Sequence, residues 1–264
     1  MRYCKVAVLA ALGLLACDLR SSSTNGPEAP AKAATTAPQA RPLAAKKAPE
    51  RPRLEQAESR KPGEKKLYRV GALGNSISDE RVGGGGYLKY LRQACPQSFF
   101  QHFGKGGDMT NQMKRRLLAD LLPIIADEKL DTLIVFGGVN DLYSNLTAGR
   151  TNARIEADLT DIYESARGAG LRVVAITVAP WGGFTKYFTP ERAETTRALN
   201  GWILAQRPEP VAAVIDAYHL LSCGDPERLC PAFELPRPDG LHPGPAGHRV
   251  LGGALRNEAF SNCR

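Results

Sequence analysis

The sequence predicts an α/β domain built on a five-stranded parallel sheet with helices on both faces. Short apolar runs bounded by glycine alternate with longer amphipathic segments from residue 67 onward. Two of the runs, TLIVF at 132–136 and LRVVAITV at 171–178, are apolar at successive positions. That is the pattern of a strand covered on both faces rather than one. Strands that alternate with helices need crossover connections, and crossovers make the strands parallel.

The elements follow in order. Residues 67–73 (LYRVGAL) read as the first strand, followed by a flexible glycine run at 83–86 and a helical YLKYLRQAC. Residues 98–103 (SFFQHF) form the second strand. Helical spacing over 109–122 puts Met113, Leu117, Leu118 and Leu121 on one side. The third strand is 132–136, and a long helix covers about 152–168. The fourth strand, 171–178, is followed by a helix near 190–206 and a fifth strand at 211–216. A last helix runs from about 244 to 257, with Pro243 and Pro245 at its start. No internal repeat is present.

The N-terminal quarter differs in kind. Residues 1–16 have a basic start, Arg2 and Lys5, and an apolar stretch from Val6 to Leu15. This is about half the roughly 20 residues of a membrane-spanning helix and matches the core of a secretory leader. It ends in Leu14-Leu15-Ala16-Cys17, which resembles the lipobox of bacterial lipoproteins. The resemblance implies cleavage before Cys17 and lipidation of that residue, so the expected location is the cell envelope, facing the periplasm or the cell surface. Stable anchoring needs more than one acyl chain. Residues 17–66 are expected to be a disordered tether: 18–66 hold seven prolines, many alanines and no aromatic residue. The domain is then 67–264.

The 264 residues carry a formal net charge of +8, but residues 67–264 carry only +1. The excess lies in the leader and tether, so no nucleic-acid partner is expected. The one short basic run in the domain, Lys114-Arg115-Arg116, reads as an exposed helix face. Four cysteines belong to the domain, an even number that fits disulfides in an exported chain. Of three possible pairings, Cys223–Cys230 closes a short loop, and Cys95–Cys263 would staple the C-terminus. No CxxC spacing occurs, and no metal or cofactor is expected.

In parallel α/β sheets ligands bind beyond the C-terminal ends of the strands. The turns there read Gly74-Asn75-Ser76-Ile77-Ser78, Gly104-Lys105-Gly106-Gly107-Asp108 and Gly137-Gly138-Val139-Asn140-Asp141. Asp239-Gly240-Leu241-His242-Pro243 precedes the last helix. Acyl transfer needs a nucleophile, a base, a group that orients the base, and donors for the oxyanion. Ser76 is the candidate nucleophile, presented by a helix N-terminus after the first strand. His242 is the base, and Asp239 is three residues away to fix its tautomer. Gly107 offers a backbone N–H and Asn140 a side-chain amide. Each block alone is weak; their order after successive strands is specific.

The four blocks resemble those of the SGNH or GDSL hydrolases over about residues 67–257. LGNSIS is similar to the first block, GKGGDMT to the second, GGVND to the third and DGLHP to the last. The resemblance implies a flavodoxin-like α/β/α sandwich and a metal-free serine esterase that works through an acyl-enzyme on Ser76. It implies Ser76, Asp239 and His242 as the triad, with an oxyanion hole of the Ser76 and Gly107 N–H groups and the Asn140 side chain. One such donor contributes about 2.7–4 kcal/mol of transition-state stabilisation. Asn75 stands where the family has aspartate, which removes a charge beside the nucleophile.

The expected substrate is an acyl ester, foremost an O-acetyl group, on an envelope carbohydrate. Lysophospholipid or short-chain lipid esters are the alternative, and acyl transfer between carbohydrates or a non-catalytic glycan-binding module are further ones. Trp181, Phe184, Tyr187 and Phe188 crowd the segment after the fourth strand. Trp181, Phe184 and, more weakly, Tyr143 are candidate walls of the acyl or sugar site; the alternative is that two of the loop's aromatics pack beneath it. Of the other histidines, His102 reads as core or edge, His219 as lacking a partner, and His248 as helix surface. A monomer is expected.

Overall fold

The computed structural model describes residues 64–264. The expected leader, Cys17 and the tether up to residue 63 lie outside the described residues. Five parallel strands form the central sheet: β1 (Arg69–Gly74), β2 (Phe99–Gly104), β3 (Thr132–Phe136), β4 (Arg172–Ile176) and β5 (Ala213–Ile215). Their order is β2-β1-β3-β4-β5, the flavodoxin-like arrangement.

Between β1 and β2 lies α1 (Gly86–Ala94); after β2 come α2 (Thr110–Arg116) and α3 (Ile125–Glu128). The short α4 (Val139–Tyr143) and α5 (Asn145–Ala148) and the long α6 (Asn152–Gly168) lead to β4, and α7 (Pro190–Leu204) leads to β5. The C-terminal part holds α8 (Ala217–Leu220), a hairpin of β6 (Ser222–Cys223) and β7 (Asp225–Leu229), α9 (Pro231–Glu234) and α10 (Pro245–Glu258).

The sheet divides the core in two by its two-residue alternation. Val70, Ala72, Ile134, Phe136, Val174 and Ile176 pack with Leu88 and Leu91 of α1 and Leu251 and Leu255 of α10. Leu73, Leu133, Val135, Val173 and Ala175 face Met113, Ile155, Leu159, Ile162, Leu199 and Ile203 on α2, α6 and α7. β1 and β3, central in the sheet, are buried almost throughout, which is why they read as continuous apolar runs.

The segment expected as one helix over 109–122 is not one. α2 ends at Arg116, and a π-turn over Leu117–Leu121 and a 3₁₀ turn over Leu122–Ile124 follow. Pro123 supplies a cause, because its ring cannot be accommodated inside a continuing α-helix. Met113, Leu117 and Leu121 are buried, whereas Leu118, expected on the same face, is 51% exposed.

Both disulfides pair as expected. Cys95–Cys263 joins the end of α1 to the C-terminus, and Cys223–Cys230 closes the β6–β7 hairpin. The C-terminal residues are pinned again by a parallel bridge between Lys66 and Cys263 and by Arg264 O, which accepts from the Gln97 and Ser98 N–H groups. No helix among the described residues is long and apolar enough to cross a membrane.

Candidate active site

β1 and β3 are the strands at which the chain reverses its direction of travel across the sheet, so their C-terminal ends form a crevice. β1 delivers Ser76 there. Ser76 rides on a hydrogen-bonded turn: the Ser78 N–H donates to Asn75 O at 3.1 Å and the Asp79 N–H to Ser76 O at 3.2 Å. The expected helix N-terminus at Ser76 is absent, since α1 starts only at Gly86. The glycine run instead folds back on the turn, with the Gly85 N–H donating to Ile77 O at 2.8 Å. Asn75 is buried, and its Oδ1 accepts from the Ile77 N–H at 3.0 Å, a bond an aspartate could make equally well.

Ser76 Oγ lies 2.8 Å from His242 Nε2, and His242 Nδ1 lies 2.7 Å from Asp239 Oδ2. The other Asp239 oxygen accepts from the backbone N–H groups of Leu241 and His242, at 2.9 and 2.8 Å. Burial alone would raise the Asp239 pKa; the bonds from the His242 backbone and ring and from Leu241 outweigh it and hold the carboxylate below its ordinary value. Asp239 therefore stays ionised and acceptor-only, so His242 carries its proton on Nδ1 and turns a lone pair of Nε2 to Ser76. Gly240, between the two, has φ +75°, and a Cβ there would lie 1.9 Å from Gly183 C. Only glycine lets the loop after β4 support the Asp239–His242 turn this closely.

The second block is held by charge. Asp79 Oδ2 accepts from the Gly106 N–H at 3.0 Å, while Arg81 binds both Asp79 oxygens. The bond from Arg81 comes first among the causes that bring Asp79 to a pKa of about 2. Gly106 is thereby committed, and the N–H of Gly107, whose φ is +80°, has no acceptor among the described residues. Asn140, at the start of α4 beyond β3, donates from Nδ2 to Asp108 O at 2.8 Å, which fixes its amide against the same loop. Arg116 clamps Asp108 Oδ2 at 2.5 Å and donates to Phe103 O and Gly74 O at the ends of β2 and β1.

Asp141 anchors the third block from behind. It accepts from the Thr110 N–H and hydroxyl, each at 2.9 Å, and from Arg150 Nε at 2.7 Å. Arg150 continues to Asp158 at 2.5 Å, and Asp158 meets Lys114 at 2.5 Å. Two cations of the 114–116 run are thus bound into the fold, and Arg115 alone of the three is exposed. The expectation of one exposed basic face is corrected accordingly.

A cavity of about 590 Å³ opens at Ser76 and His242, lined also by Val82, Gly83, Gly84, Pro236, Arg237 and Pro243. The expected aromatic walls stand elsewhere. Trp181 is 1% exposed, with its indole N–H on Thr196 Oγ1 at 3.0 Å and its ring edge-on to Phe188. It is a core residue, and the expectation that it lines a ligand site is corrected. Phe184 and Tyr143 pack with Tyr187 into a half-buried cluster that does not line this cavity. His248, expected on the helix surface, is 4% exposed beneath the cavity and stacks on Tyr87 at 6.0 Å. His219 does have a partner: its Nδ1 lies 2.5 Å from Asp216 Oδ2, on the exposed start of α8.

Asp79, Arg81, Arg116 and Arg150 were not singled out by the sequence as supports of the site. For Asp79 a signal existed, an acidic residue three places after Ser76 and two before an arginine.

Comparison with known proteins gives a consistent picture. A family model described as GDSL-like lipase/acylhydrolase matches residues 72–250. A GDSL-like lipase from Bacteroides thetaiotaomicron is similar in structure at a TM-score of 0.56 and 19% identity, over 72% of this chain and 86% of that one. A lipase/acylhydrolase from Enterococcus faecalis matches at a TM-score of 0.54 and 23% identity, over 72% and 94%. An acetylxylan esterase from Geobacillus stearothermophilus matches at 0.55 and 19%, over 75% and 96%. At these identities the likeness is one of fold. No curated protein sequence matches the chain.

Proposed function

The chain belongs to the GDSL-like lipase/acylhydrolase family and is an ester hydrolase; from that premise we propose that it removes short acyl groups, foremost O-acetyl, from carbohydrate through an acyl-enzyme on Ser76. The observation that carries the mechanism is the hydrogen-bonded series from Ser76 Oγ through His242 to Asp239. Ser76 Oγ attacks the ester carbonyl as its proton passes to His242 Nε2. The imidazolium that forms is stabilised by Asp239, whose carboxylate stays ionised. The tetrahedral oxyanion is received by the N–H groups of Ser76 and Gly107 and the Asn140 amide. The carbon–oxygen bond to the sugar breaks, and His242 returns the proton to the leaving alcohol. Water then attacks the acyl carbon by the same route in reverse and frees Ser76.

Carbohydrate is supported by the acetylxylan esterases among the structural neighbours and by an open, surface-level triad that a polymer can reach. In this reading lipid on Cys17 carries the enzyme at the cell envelope, as the motif Leu14-Leu15-Ala16-Cys17 suggests. Lipid esters are the second reading, favoured by one observation: Val82 on the cavity wall is 65% exposed and Leu235 beside it 58%.

Hydrolysis of p-nitrophenyl esters of increasing chain length, beside the Ser76→Ala variant, tests both. The expected result is fastest turnover of the acetyl ester and a loss of roughly 10⁴-fold or more in the variant. A rate that peaks at medium or long chains moves the substrate to lipid. Undiminished turnover in Ser76→Ala overturns the acyl-enzyme mechanism.

A further inference from the structure

The cavity at Ser76 does not end there. Gly83, Pro243, Gly244, Pro245 and His248 line it and also line a second hollow, of about 320 Å³, between α1 and α10. The two are therefore one groove that runs from the nucleophile past the start of α10 and along α1. The far part is edged by Lys89, Tyr90 and Gln93 of α1 and by Arg249 of α10. The near part carries Arg237.

The side chains of Lys89, Arg237 and Arg249 make no ion pair or hydrogen bond among the described residues. No carboxylate is among the described residues that line the far hollow. The two acids of the near cavity are engaged: Asp239 on His242, and Glu234 on the Gly240 N–H at 3.2 Å. In a domain of almost balanced charge, the far hollow thus carries two cations, Lys89 and Arg249, with no carboxylate among its described lining residues, whereas Arg237 shares the near cavity with the carboxylates of Glu234 and Asp239. The far hollow also offers the half-buried face of Tyr90 and the amide of Gln93, groups suited to stacking on a sugar ring and to bonding its hydroxyls.

We propose that this groove binds an anionic glycan, a carboxylate-bearing polysaccharide, with the esterified residue at Ser76 and neighbouring residues over Lys89 and Arg249. The inference rests on the carbohydrate reading above and adds the charge and polymeric character of the substrate. An elongated concave track fits a chain better than a bilayer surface: the exposed Val82 lines the near cavity and Leu235 stands beside it, and no exposed large aliphatic side chain is among the described residues that line the far hollow beside Lys89 and Arg249.

Binding of the purified protein to de-esterified polyuronate, read by affinity electrophoresis, tests this without turnover; the same polymer after carboxyl reduction is the control. Retardation by the polyuronate and not by the neutral polymer is expected. It should weaken as ionic strength rises. Lys89→Ala/Arg249→Ala should bind roughly 3- to 30-fold more weakly, as loss of two exposed charge contacts implies, and Lys89→Arg/Arg249→Lys should restore binding. Melting temperatures check that the variants fold. Equal retardation by both polymers, none by either, or an unchanged double variant overturns the proposal. So does sedimentation with anionic phospholipid vesicles in place of polyuronate binding. Acetate release from the acetylated forms of both polymers reports on the carbohydrate reading separately: equal release from each keeps that reading and removes only the preference for charge.

Discussion

Asp79 Oδ2 holds the Gly106 N–H at 3.0 Å, a carboxylate after β1 fixing a backbone amide after β2. The bond ties the turn that carries Ser76 to the loop that carries Gly107. It also uses up the wrong glycine, so that the next N–H is the one left for an oxyanion. An oxyanion hole works by being set before the reaction, so its geometry depends on such ties as much as on its donors.

Asp79→Ala should therefore impair chemistry more than binding. The Gly106–Gly107 loop loses its anchor and Arg81 its partner, and kcat on p-nitrophenyl acetate is expected to fall roughly 10-fold, about 1.4 kcal/mol of transition-state stabilisation. KM should change little. A variant with wild-type kcat would show that the loop is held adequately by other contacts.

Asn140→Ala removes a proposed oxyanion donor outright. The expected loss in kcat is about 10²- to 10³-fold, the range for one such donor. Asn140 also bonds Asp108 O, so a modest loss of stability of about 1 kcal/mol should accompany it. Steady-state kinetics and urea titration separate the two effects. Loss of stability with unchanged kcat would make Asn140 a loop fastener only.

Much of this was legible in the sequence because chemistry in a parallel α/β fold collects at strand ends. β1 and β3 announce themselves as apolar runs, and glycine-rich blocks follow both. The hairpin β6–β7 was not legible: DPERL is polar and begins Asp-Pro, without the alternation of a half-buried strand. His248 was misread because α10 also carries Gly247 and Gly252, and the small Gly86 lets α1 approach the imidazole, where a Cβ would lie 2.8 Å from it. Sequence does not separate the two readings of Trp181, wall or packing residue, because a loop position says nothing of which side of the loop the ring packs. The supports of the blocks, Asp79 to Gly106 and Arg116 to Gly74, join positions 27 and 42 residues apart in the chain, and local spacing does not record such pairs.

Arg150 lies between two carboxylates, Asp141 and Asp158, in an almost fully buried cluster. Arg150→Met should leave Asp141 without its ion-pair partner, while Asp158 keeps Lys114, and destabilise the domain by about 3–5 kcal/mol. Adding Asp141→Asn should recover part of that loss, since the most deeply buried charge is then removed with its partner. Urea titration of the single and double variants measures the coupling. A single variant within about 0.5 kcal/mol of wild type would show that water or rearrangement compensates Asp141.

His248 supplies a pH dependence whose sign is fixed by burial. Its ring is packed against Tyr87 beneath the Ser76 cavity, and its Nδ1 is buried without a partner. Burial, and secondarily the nearby His242, lowers its pKa from 6.5 to about 4 in the folded chain. Above pH 6.5 the ring is neutral folded or unfolded, and it adds no slope. Between 6.5 and about 4 the unfolded chain takes up a proton that the folded chain refuses, so stability falls as pH falls. The full effect is about 3 kcal/mol, nearly all of it present by pH 4. His248→Phe keeps a ring on Tyr87 and removes the titration. Its unfolding free energy should decline less than that of the wild type between pH 7 and 4, by that difference. Parallel pH profiles for the two proteins would mean that His248 takes up its proton in the fold as readily as in the unfolded chain, against the burial that defines its place under the site.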